Sequence, residues 1–298
     1  MPGGGADLHT HTYYSGFNRV LFIPHPESVT PPEKMVETAI EKGLDVICVT
    51  DHNEIQGAWQ AERYVRENDL EIEVVAGEEI TSADGEVLGL FLQGFIPRDL
   101  SAEETIERIH DQGGLAVAPH PFSYRCPCLG TKIKVLDLDG VEVLNAAHRD
   151  PYVNRLAQLE FRSLFAHTAG SDAHAPAMLG DAYTGFPGQS AEDLYHAIKR
   201  KETEPQGAST PLRHWIRWCM EVAHGVFQKL SEDSTVDHGP NDPLEVVDQM
   251  RRRYKLIALG GCMAFMLTPL PLICGMAAEG WIRYKGWKKW EEFGLHCG

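Results

Sequence analysis

Val46-Ile47-Cys48-Val49-Thr50-Asp51-His52 is a run of four apolar residues that closes on a hydroxyl, a carboxylate and an imidazole. A short run of this kind, with three of its four residues β-branched, reads as a buried strand. Its weight comes from recurrence. Ile72 to Val75 leads into Gly77-Glu78-Glu79, Leu115 to Ala118 into Pro119-His120-Pro121, and the stretch around Thr168 to Gly170 into Ser171-Asp172-Ala173-His174. Val87 to Leu92 and Val141 to Leu144 read as further strands. Between them lie helix signals: Thr30 with Glu33, Ser101 with Glu104 and Ser190 with Asp193 have capping-box spacing, and Gly43 and Gly113 mark left-handed helix ends. Strands alternating with capped helices predict an α/β fold, and in a barrel the carboxyl ends of separate strands converge on one face.

Composition bounds the function. A chain of 298 residues holds one large domain, or a medium one with an appendage. The net charge of -16, from 43 acidic against 27 basic residues, excludes a general nucleic-acid-coating surface. An anionic substrate would then need local positive charge, which bound metal ions supply. Seven scattered cysteines, an odd number, do not read as a disulfide framework. Met1-Pro2-Gly3-Gly4-Gly5 lacks the basic start and apolar core of a secretory signal, so the expected location is cytoplasmic. Nothing in the sequence fixes an oligomeric state.

Imidazole mixed with carboxylate, and no cysteine among the strand-end motifs, suits Zn, Mn or Fe. In extended backbone alternate side chains share a side, so His9 and His11 can reach one ion, and the same period relates Asp172 to His174. One histidine after a strand is weak evidence; five motifs placed alike point to a metal centre. Two neighbouring ions could share a bridging hydroxide and clamp the attacking and leaving oxygens of a displacement at phosphorus.

Asp7-Leu8-His9-Thr10-His11, Thr50-Asp51-His52, Gly77-Glu78-Glu79-Ile80, His120-Pro121-Phe122 and Gly170-Ser171-Asp172-Ala173-His174, in that order across roughly residues 6–205, resemble the motifs of the PHP (polymerase and histidinol phosphatase) family. The resemblance implies a distorted (β/α)7 barrel that holds two or three divalent ions and hydrolyses phosphoesters. It further implies that His9, His11, Glu79 and Asp172 hold one ion, that Glu79 bridges to a second held by His120, and that His52 and His174 contribute to a third. Arg125 resembles a phosphate-holding arginine, with an ordinary surface arginine as the alternative. Asp51 reads as an orienting carboxylate, a proton carrier or a simple turn residue. Two departures stand out. Gly16 follows Tyr14-Ser15 where many relatives place an acidic third-ion ligand, and Glu86 stands where some carry a histidine, which makes it an expected metal ligand here.

The substrate expected on this reading is a phosphomonoester or a small nucleotide. Two other classes stay open: an amidohydrolase-like enzyme, which would be expected to use a carboxylated lysine, and a non-catalytic, metal-stabilised, membrane-associated scaffold. His25 in Pro24-His25-Pro26 and His110 read as structural or solvated. Cys126-Pro127-Cys128 is too tightly spaced for the usual metal or redox pair and reads as a loop over the site.

The catalytic domain is expected over 1–205 and a helical region over 206–298. Pro211 to Leu230 reads as a helix, and Ser231 to Asp242 as a polar, acidic linker. Leu256 to Ala278 carries no charged side chain and is long enough to cross a ~30 Å hydrocarbon layer. Arg251, Arg252, Arg253 and Lys255 precede it, and Arg283, Lys285, Lys288 and Lys289 follow, with Trp281, Trp287 and Trp290 suited to an interface. Three arrangements fit: a crossing, a re-entrant hairpin broken at Pro269 and Pro271 that tethers the chain to the cytoplasmic face, or buried helices packed on the barrel.

Overall fold

The computed structural model describes residues 3–20, 23–162, 164–231 and 244–294. In chain order the first elements are β1 (Gly4–Asp7), a hairpin of β2 (Phe17–Val20) and β3 (Ile23–Pro26), α1 (Pro32–Glu41), β4 (Val46–Val49), α2 (Gln56–Asn68), β5 (Glu73–Thr81) and β6 (Glu86–Leu90). Next come α3 (Ala102–Asp111), β7 (Leu115–Ala118), β8 (Gly140–Asn145), α4 (Val153–Glu160), β9 (Ala166–Gly170), β10 (Ala182–Phe186), α5 (Ala191–Arg200) and β11 (Glu204–Gly207). Nine strands form one sheet in the order β11-β10-β1-β4-β5-β6-β7-β8-β9. It curls until β9 meets β10, where the Thr184 hydroxyl donates to Ala169 O and accepts from Ala169 N, both at 2.8 Å, in place of a ladder.

This is the expected distorted α/β barrel, with β6 and β10 antiparallel to their neighbours. β5 and β6 are joined by a tight turn at Asp84-Gly85, not by a helix. That reversal places the start of β6, Glu86, at the same end of the barrel as the carboxyl ends of β5 and β7. Period-2 burial separates two cores. Val46 and Cys48 point inward with Leu8, Val75 and Val117, where Leu194 and Ile198 of α5 join them. Ile47 and Val49 face outward onto Met35, Val36 and Ala58 of α1 and α2.

Ser101 and Ser190 cap their helices as expected, the second in a full capping box, and Gly43 and Gly113 hold left-handed backbone. Thr30 does not cap α1. Pro31 takes that position without a side-chain bond, because the Thr30 carbonyl is engaged by Tyr13 N at 2.9 Å and stays in the loop.

The boundary expected at residue 205 falls inside β11, which completes the sheet against β10. Beyond it lie α6 (Leu212–Ser231), α7 (Glu245–Asp248), α8 (Arg252–Leu267) and α9 (Leu270–Glu292). Apart from Ser231, the acidic linker lies outside the described residues. The apolar run 256–278 is split at Thr268-Pro269, where α8 and α9 bend by 90°, and among the described residues no single helix is long and apolar enough to cross a membrane. A straight crossing is therefore corrected to a bent pair, as two prolines in the run dictate. A wholly buried pair is corrected too: Pro271, Gly275, Ile282 and Gly286 pack inward, while Leu267 and Met276 remain 76% and 63% exposed. None of the six described cysteines forms a disulfide.

Candidate metal centre

Eight of the residues singled out in the sequence meet at the barrel mouth. His9 and His11 extend from β1 with both rings fully buried. Their Nε2 atoms lie 3.2 and 3.3 Å from Glu79 Oε2, and His11 Nε2 lies 3.3 Å from Asp172 Oδ1. The other oxygen of Glu79 faces His120 Nε2 at 2.9 Å, and Glu86 approaches that same nitrogen at 3.6 Å. His52 Nδ1 sits 3.0 Å from Glu79 Oε2, and His174 Nδ1 3.6 Å from Asp172 Oδ1. Three triads thus bring donor atoms within 4.8 Å of one another: His9, His11 and Asp172; His9, Glu79 and His120; and His11, His52 and His174.

The far sides of three of these rings are held by hydrogen bonds. His9 Nδ1 donates to Glu142 at 3.1 Å, and His174 Nδ1 to the Asp172 carbonyl at 3.1 Å. His11 Nδ1 donates to Ser15 Oγ at 2.9 Å, and Ser15 in turn donates to Asp51 at 2.6 Å. Such bonds fix the tautomer and leave Nε2 free to give its lone pair to an ion. The Nε2 atoms of His9 and His11 and the Oε2 atom of Glu86 are buried with no hydrogen-bond partner, which an apolar core would not tolerate and a divalent cation would resolve. The residues present fit such ions.

Electrostatics agree. Burial opposes charge on His9, but Glu79, Asp172 and Glu142 outweigh it and push its pKa well up. His120 rises to about 9 against burial, driven by Glu79 and Glu86. His11 falls to about 3 through burial and the neighbouring His174 and His52. Burial, then Glu79, raises Glu86 to about 7. The upward shifts of His9 and His120 report a field of nearby carboxylates, which suits cations. Two residues of the cluster also hold left-handed backbone, His120 (φ 27°) and Asp172 (φ 52°), which costs about 1–3 kcal/mol each. His120 N donating to Glu142 and Asp172 N donating to the His9 carbonyl, both at 2.8 Å, help impose it.

Asp51 lies behind this cluster. Its oxygens accept from Thr12 N, Thr12 Oγ1 and Ser15 Oγ at 2.6–2.7 Å, so it orients the loop that carries Ser15. Arg125 lines the cavity of about 120 Å³ over the centre, together with Trp215 and Trp218 of α6. Cys126 approaches Glu86 and His120 closely enough to donate to an ion, more than the loop role expected of it, and His25 lies on the cavity wall. His110 pairs with Asp139 at 2.9 Å, away from the cavity.

Sequence reasoning missed three residues. Glu142 sits within a run read only as a strand, where a lone carboxylate was the available signal. His148 is buried on the cavity wall, its pKa lowered to about 3 by burial and by His120. Glu27 follows the β2–β3 hairpin and reaches His52 Nε2 at 3.1 Å and His174 Nε2 at 3.9 Å. It brings a carboxylate to the side where Gly16 offers none.

A model of the PHP-associated segment matches residues 161–203. The fold is similar to a two-domain protein from Bacteroides vulgatus containing a predicted PHP-like metal-dependent phosphoesterase, with TM-score 0.55 and 18% identity, over 68% of this chain and 64% of that one. The chain belongs to the PHP family. PsfC from Pseudomonas syringae shares the PHP chain's fold at TM-score 0.54 and 20% identity, over 74% of this chain and 98% of its own. Two uncharacterised proteins of Methanocaldococcus jannaschii are similar in sequence. One is 50% identical over 152 residues, covering 51% of this PHP chain and 88% of the relative; the other is 31% identical over 189 residues, covering 60% and 69%.

Proposed function

We propose that this chain is a metal-dependent phosphoesterase that takes a phosphomonoester or small nucleotide. The observation that carries the reading is the set of buried, partnerless donor atoms of His9, His11 and Glu86 around Glu79, opening into a cavity lined by Arg125. His9, His11, Glu79 and Asp172 would hold one ion, and Glu79, Glu86 and His120 a second. His11, His52, His174 and Glu27 would hold a third. Bound there, divalent Mn, Zn or Fe ions supply Lewis acidity and make water acidic enough to serve as nucleophile near neutral pH. The protein's own groups do the rest. Arg125 offers a planar fork of donors to phosphoryl oxygens. Neutral His148 gives a hydrogen bond toward the leaving group, and the indoles of Trp215 and Trp218 exclude water from one side. Among the described residues no lysine lines the cavity, which removes the usual support for an amidohydrolase mechanism.

The test is turnover of a phosphoester panel by the full chain loaded with Mn, Zn or Fe. We expect His9→Ala and Asp172→Ala to lose at least roughly a hundredfold, the upper end of what losing a mere supporting group costs. No turnover by the parent with any of the three metals, or equal turnover in both variants, would overturn the reading.

A further inference from the structure

We propose that the bent α8–α9 pair is a membrane-docking device that inserts its apex into an anionic lipid surface without crossing it. This goes beyond the hydrolase reading and does not depend on it. The first observation is an apolar face that the barrel leaves uncovered. Met263, Leu267, Leu272, Ile273 and Met276, on both sides of the bend, are between 44% and 76% exposed. A contiguous patch of this kind marks an interaction site. The opposite stripe of α9 is seated on the protein: Gly275 lies so close to α6 that a Cβ there would fall 2.7 Å from Leu212, and Glu279 pairs with Arg149. The exposed face is thus held outward by the fold.

The second observation is the backbone at the bend. Irregular structure enters hydrocarbon only when its donors are satisfied internally. Here they are. Pro269 and Pro271 have no N–H, Leu270 N donates to Thr268 Oγ1 at 3.2 Å, and Leu272 N and Ile273 N both donate to Pro269 O at 3.1 Å. Thr268 Oγ1 itself donates back to Ala264 O at 2.7 Å.

The third observation is charge. The chain carries -16 overall, yet Arg251, Arg252 and Arg253 stand exposed at the start of α8. On α9, Lys285 and Lys288 lie 5.5 Å from the ring centroids of Trp281 and Tyr284, cations beside aromatic rings at the level where headgroups would sit. Both ends of the hairpin are cationic and its apex is neutral, so both ends fit one anionic leaflet. A second copy of the chain is a poor occupant, because symmetric docking would bring the same arginines and lysines together.

Vesicle flotation of the full chain tests this. At low salt we expect roughly tenfold more protein to float with phosphatidylcholine vesicles containing about one-third phosphatidylglycerol than with pure phosphatidylcholine. The L267E/I273E variant should lose that flotation while keeping its melting temperature and metal content. R251A/R252A/R253A should lose the preference for phosphatidylglycerol. The proposal is overturned by wild-type protein that ignores both vesicle types, or by a glutamate variant that floats like wild type. It is overturned equally by a lipid-indifferent dimer that L267E/I273E converts to monomer, which would make the face a contact between copies.

Discussion

At the scale of single residues, His9, His11 and His174 each turn Nε2 toward the cluster and hold the ring by a bond at Nδ1. Ser15 shows the logic most simply, since it receives His11 Nδ1–H and passes its own proton to Asp51. Ser15→Ala should therefore weaken metal affinity by about 10–100-fold while the fold survives, as read by competition with a chelator. Affinity equal to wild type would show that the relay does not position His11. Glu27→Gln should lower metal content toward two ions per chain, measured by elemental analysis, and leave binding by His9, His11 and Asp172 intact. An unchanged content would remove Glu27 from the ligand set. The strand-end histidines were legible because each followed an apolar run. Glu27 was not, because a hairpin insertion carries it to the site from a loop with no periodic pattern, and only the folded chain shows its carboxylate beside His52 and His174.

Glu78 supplies the pH prediction. It points away from Glu79, and burial raises its pKa from 4.5 to about 8 although Ile96 N donates to it. With the folded pKa above the unfolded one, the folded state binds the extra proton between these values. Stability should then fall as pH rises from about 4.5 to about 8, by at least about 1 kcal/mol. Thermal melts of the metal-free protein across this window should slope downward for wild type and less steeply for Glu78→Gln, with Glu86, His9 and His120 supplying the remaining slope. A slope as steep in the variant as in wild type would remove Glu78 as one of its sources.

At the scale of elements, the decisive feature is the reversal of β6. Apolar runs announced both β5 and β6, and Asp84-Gly85 announced a turn, but run and turn together do not state strand direction; the pairing of Thr81 with Glu86 does. β1 escaped periodic reading because glycine fills half of it, and β10 because small residues interrupt it. The turn demands glycine at position 85, where φ is 148° and a Cβ would fall 2.6 Å from the Cys128 backbone. Gly85→Ala should cost about 1–3 kcal/mol and push apart the segments that carry Glu86 and Cys126, lowering metal affinity with stability. Full stability in a denaturant melt would show that the 126–129 loop yields freely.

At the scale of the whole molecule, the helical region is joined to the barrel by Trp218, Trp290 and Phe293 and by ion pairs that include His214–Asp181 on α6 and Arg149–Glu279 on α9. The Arg149 side chain is only 5% exposed and that of Glu279 is 25% exposed. Removing Glu279 strands a nearly buried guanidinium, whose cost is the desolvation left uncompensated and not merely the attraction lost. Because Glu279 reaches solvent, the full penalty of a buried pair does not apply, and about 1–3 kcal/mol is expected for Glu279→Ala. The loss should be local: amide exchange should quicken in α9 while β4, β5 and the metal centre keep their protection. Replacing both partners, as in Arg149→Met with Glu279→Leu, should recover most of the stability, since two apolar groups leave no charge behind. Exchange that quickens equally throughout the barrel in Glu279→Ala would mean that α9 and the barrel unfold as one unit. In that case the helices that roof the cavity are as much a part of the catalytic fold as the strands beneath them.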